Sequence, residues 1–94
     1  MKMMPWEKIQ FDLEYRLEKL LFYIKKNNLK SSKDYSEYEK VGNMVVANIF
    51  VCKEIASMPS LVLQESLWNN ISQELCGFIL YFDGFLKNKK IDLS

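Results

Sequence analysis

Between Trp6 and Ile24 apolar residues return every three or four positions, at Trp6, Ile9, Leu13, Leu17, Leu20 and Ile24. That spacing collects them on one side of an α-helix but scatters them over both faces of a strand. A helix is therefore predicted. Pro5 suits its first turn, where the missing N–H is not needed. Lys25 and Lys26 suit the negative end of the helix dipole, and Asn27-Asn28 supplies a stop.

The same period recurs twice. Tyr38, Val41, Val45, Ile49, Cys52 and Ala56 form a second stripe, with Ser31, Ser32 or Asp34 available as its cap. Pro59 ends that helix and disfavours helical geometry at Met58. Ser60 then caps a third helix carrying Leu67, Ile71, Leu75, Phe78, Phe82 and Phe85. The expected architecture is all-α: one domain over residues 1–94, with helices at about 5–27, 33–58 and 60–86 and a flexible tail over 87–94. Short connections make consecutive helices antiparallel, giving a three-helix up-down-up bundle. An α+β alternative would build a small sheet from 44–52, rich in β-branched residues, and 77–86, where Asp83-Gly84 resembles a hairpin turn. Both segments continue a helical pattern begun outside them, which favours the bundle.

Composition narrows the function classes. The chain has 94 residues, 49% of them hydrophobic, and a net charge of +1, too apolar and balanced for a disordered chain. Near-neutrality disfavours a nucleic-acid binder, and Arg16 is the sole arginine among thirteen basic residues. There is no histidine, so serine-type triads and imidazole metal sites are excluded. Cys52 and Cys76 sit at different depths about the Pro59 turn, too far apart to bridge, and are read as two buried thiols. Glu14 and Glu18, one turn apart, are read as a solvated face, with Glu18 meeting Lys19 or Lys26. Asp83 is expected to pair with Lys87 on the next turn. Gly77 and Gly84 share one line of the third helix, either as a shallow groove or because Gly84 begins its unwinding. An enzyme is not expected, nor any metal, cofactor, small-molecule substrate or membrane association. With no apolar leader run after Met1 and no uncharged stretch of membrane-spanning length, a cytoplasmic protein with reduced thiols is expected.

The first helix carries one feature that folding alone does not explain. At ~100° per residue, its core stripe falls between about 180° and 260° around the axis. Phe11, Tyr15 and Phe22 fall between about 20° and 60°, nearly opposite, with Glu18 among them and Lys8, Lys19 and Lys26 along the edge. Aromatic anchors inside a charged rim are characteristic of protein interfaces. These residues, with Phe50 of the second helix, are the candidate partner-binding set. The competing reading has loops, or the segment around Ile91 and Leu93, covering the ridge.

A second candidate is a basic pole. The bundle topology brings Lys25, Lys26, Lys30, Lys33, Lys87, Lys89 and Lys90 to one end, where they either complement helix dipoles or dock an acidic surface. The leading functional expectation is a small non-enzymatic module that binds another protein to inhibit or chaperone it, in the manner of an immunity protein, antitoxin, phage-encoded inhibitor or secretion chaperone. A self-associating homodimer and a nucleic-acid accessory protein using the lysine pole are the alternatives.

Overall fold

Glu7 lies three residues into the first helix and reaches back to accept a hydrogen bond from the Met4 backbone N–H at 2.9 Å. This satisfies a donor that the first turn leaves free. From there the computed structural model, which describes residues 2–94, shows three antiparallel helices: α1 (Pro5–Lys26), α2 (Tyr35–Ala56) and α3 (Leu61–Asn88). The architecture is the expected all-α bundle. The segments 44–52 and 77–86 lie wholly within α2 and α3, and no strand occurs among the described residues.

Each boundary has a local cause. Asn28 adopts a left-handed conformation (φ 52°) just beyond α1, and a single 3-10 turn, Leu29–Ser31, leads on to α2. Asparagine tolerates that region better than most side chains. Asp34 stands before α2 without a side-chain cap; instead Ser32 Oγ accepts from the Asp34 N–H at 3.1 Å. Ser60 caps α3 as expected, its hydroxyl accepting from the Leu63 N–H at 3.2 Å.

The core forms two clusters along the bundle, and half-buried Ile9 packs against both. Leu13, Leu20, Val45, Phe82 and Leu86 are completely sealed at the bundle's centre and at the pole where α1 ends. Trp6, Cys52, Ile55 and Leu75 close the opposite pole, with Trp68 leaning on Trp6 at a ring separation of 6.3 Å. α1 packs more extensively on α2 than on α3. The molecule is elongated, 46 × 24 × 19 Å, as helices of 22, 22 and 28 residues require.

Several sequence expectations are corrected. The second stripe ends on buried Ile55 rather than on Ala56, which is exposed at the helix terminus. Cys52 is buried but Cys76 is exposed, because Cys76 projects away from the line of Leu75, Phe78 and Phe82. Gly84 does not begin an unwinding; α3 runs four residues further. Among the described residues, a Cβ at Gly77 or Gly84 would meet no other element within 4 Å, so the line they share is open.

The largest correction concerns the tail. Residues 87–94 were expected to be loose, yet Asn88 still belongs to α3 and Ile91 is only 7% exposed within the core. Lys90 takes a left-handed conformation (φ 59°). Its N–H bonds the Lys87 carbonyl at 3.0 Å, and the Ile91 N–H bonds the Leu86 carbonyl at 2.9 Å. Those two bonds make a Schellman motif, which usually carries a hydrophobic contact between the residues that Ile91 and Leu86 occupy. The chain therefore folds back, and Leu93 packs on the core edge.

Candidate functional site

On α1 the core stripe and the aromatic ridge lie on opposite sides, as the helical period dictates. Phe11 is 60% exposed and Phe22 is 64% exposed. Neither is covered by α2 or α3. Glu18 lies exposed beside the ridge and makes no ion pair with Lys19 or Lys26 among the described residues.

Tyr15 differs from the other two. It is 38% exposed, and its hydroxyl donates a hydrogen bond to the Leu93 carbonyl. Lys19 Nζ stands 5.3 Å from the centre of its ring. The folded-back tail thus touches one flank of the ridge at Tyr15 and leaves Phe11 and Phe22 open. The segment around Leu93 covers the ridge at Tyr15, and its two phenylalanines face solvent.

The rim is charged and asymmetric. On the tail side, Lys19, Lys26 and Lys90 border a hollow of about 400 Å³ that Phe22, Ile91 and Asp92 also line. The Asp92 carboxyl is held below its ordinary range by hydrogen bonds from the Ser94 hydroxyl and N–H. On the other side, Glu14 and Glu18 border an apolar hollow along the seam of α1 and α2. Lys8, at the foot of the ridge, is engaged by Asp12 at 3.1 Å.

Phe50 is 60% exposed on α2, one turn from exposed Val46. It lines neither the hollow beside the ridge nor those along the α1–α2 seam. Leu21, on that seam, is exposed and was absent from the candidate set. Its signal was available: at roughly 300° around α1 it falls outside the core stripe and outside the ridge.

The lysine pole is divided. Lys25 and Lys30 border one hollow with Asn28 and Tyr35, whereas Lys26 and Lys90 border the hollow beside Phe22. Lys89 is engaged: its Nζ pairs with Glu37 at 3.0 Å and stands 5.3 Å from the Tyr38 ring centre and 5.7 Å from that of Phe85. The Glu37 hydrogen bond raises the Lys89 pKa. Among the described residues no ion pair joins Lys33 or Lys87 to an acidic partner, and the expected Asp83–Lys87 pair does not form. Asp83 faces α1 instead and accepts from Arg16 Nε at 2.5 Å.

The thiols have contrasting surroundings. Burial, and then the nearby Glu14 carboxylate, push the Cys52 thiol up to about 11. No cluster of three or more metal-ligating side chains occurs among the described residues. Comparison with protein-family models, with curated proteins and with solved structures finds no match to this chain.

Proposed function

We propose that this chain is a non-enzymatic binding module whose α1 ridge, Phe11 and Phe22 with Glu18 between them, engages another protein to inhibit or chaperone it. The single observation that carries the reading is the exposure of both phenylalanines on a helix whose opposite face is fully committed to the core. Large aromatics held in a rigid helix lose little conformational entropy on docking, and a charged surround excludes unmatched partners. Tyr15 contributes differently from its neighbours. Its bond to Leu93 fixes the tail along the ridge, so the tail and Lys19 shape one edge of the contact surface.

Capture from the native host, by wild type and by Phe11→Asp/Phe22→Asp, tests the reading. The wild type is expected to retain a specific protein that the double variant loses while keeping its helical circular dichroism. Tyr15 is left unchanged in this variant because its loss would also free the tail.

A further inference from the structure

A second exposed apolar surface runs along the seam of α1 and α2. Leu21 and Val46 line it and are 54% and 53% exposed. Between the helices lies a hollow of about 380 Å³, floored by Leu17 and Ile49 and edged by Glu14 and Glu18 from α1 and Lys53 from α2. Towards the other pole the seam is bordered by Lys25 from α1 and Glu39 from α2, in hollows that share Leu21. None of these five charged side chains makes an ion pair among the described residues.

At the four corners of the patch the signs alternate, with Glu18 between the two α1 corners. At one end α1 presents Glu14 and α2 presents Lys53; at the other, α1 presents Lys25 and α2 presents Glu39. Turning such a four-cornered pattern over, about a two-fold axis lying in its plane, sets each corner on one of opposite sign. Its apolar middle meets itself at the same time. An isologous contact requires this kind of self-complementarity.

We infer that the α1–α2 seam binds a second copy of this chain, forming a two-fold dimer with Leu21 and Val46 at its centre and Glu14, Lys25, Glu39 and Lys53 at its corners. Phe11 and Phe22 lie outside this interface, with Glu18 on the border between the two surfaces, and the dimer presents two such ridges.

Sedimentation equilibrium of the full chain tests the inference, with circular dichroism confirming that each variant is folded. The wild type is expected to be dimeric, and Leu21→Asp/Val46→Asp to be a folded monomer. Reversing one corner, as Lys53→Glu, is expected to raise the dissociation constant about tenfold, because each substitution places like charges together twice in a symmetric dimer. Reversing all four corners together (E14K, K25E, E39K, K53E) restores complementarity and is expected to recover the dimer. Wild type that stays monomeric up to about 1 mM would overturn the inference. So would a dimer that survives Leu21→Asp/Val46→Asp, or a folded four-corner variant that remains monomeric. Phe11→Asp/Phe22→Asp is expected to remain dimeric, and its dissociation would overturn the seam as the interface. A monomeric wild type that still binds a host protein through the ridge would refute self-association alone. A dimer whose ridge binds nothing would refute the ridge reading alone.

Discussion

Arg16 Nε donates to Asp83 Oδ1 at 2.5 Å, joining α1 to α3 across a sequence separation of 67 residues. Arg16 also donates to the Asp12 carbonyl at 3.0 Å, so the guanidinium is fixed by its own helix before it meets α3. Both partners are partly withdrawn from solvent, where a charge-assisted hydrogen bond is worth more than a surface ion pair. Asp83→Ala is therefore expected to lower unfolding free energy in urea by about 1–2 kcal/mol. Lys87→Ala, by contrast, should change it by less than about 0.5 kcal/mol. Equal effects would mean that the α1–α3 pair does not form in solution.

Lys90 is the left-handed residue of the motif that closes α3. A side chain in that conformation costs about 1 kcal/mol more than glycine does. Lys90→Gly should accordingly raise stability by about 0.5–1 kcal/mol in the same urea titration. Ile91→Ala should lower it by about 2 kcal/mol, the usual loss for a buried aliphatic side chain. A tail free in solution would make both substitutions silent.

The thiols should react very unequally. The thiolate is the attacking species, so Cys52, sealed from solvent and raised to about 11, is protected twice over. Cys76 is exposed. Titration with an aromatic disulfide reagent at neutral pH is expected to modify one thiol rapidly, identified as Cys76 by peptide mapping. Cys52 should follow only in denaturant. Rapid modification of both would place Cys52 outside the core.

Stability should fall on the alkaline side. The folded-state pKa values of Tyr38 and Lys89 are both raised, the first by burial and the second by its hydrogen bond to Glu37. A raised value means that the folded protein holds its proton more tightly than the unfolded chain does. The associated stability is complete below the ordinary values, about 10 to 10.5, and is lost as pH rises through the folded ones. Thermal midpoints should thus be level near neutrality and decline above about pH 10. Glu37→Gln should flatten the part of that decline due to Lys89.

The bundle was legible because three stripes share the helical period and Pro59 with Ser60 marks the second turn. What escaped were relationships between distant residues. Asp83 has Lys87 one turn away in sequence, and only the packing of α1 on α3 shows that Arg16 takes its place. Cys76 was read as buried from its residue type, although its angular position on α3 sets it apart from Leu75 and Phe78. The tail reads as loose because Lys87 to Ser94 is polar apart from Ile91 and Leu93; Lys90 nonetheless takes the left-handed position of the Schellman motif, where glycine is usual. The ridge was legible from angles alone. Its partial cover by Leu93 depends on the fold-back that Lys90 initiates.

One side of α1 builds the core, and the other is proposed to contact a partner. The most direct measurement takes two readings from a single preparation of Phe11→Asp/Phe22→Asp: its thermal midpoint, and its retention of the host protein captured by wild type. If the ridge is that contact, the midpoint stays within about 3 °C of wild type, as expected for substitutions outside the core, and the captured protein is lost. Full retention by a folded variant would contradict that proposal, and so would a fall of 10 °C or more, roughly what a core substitution produces in a domain this small.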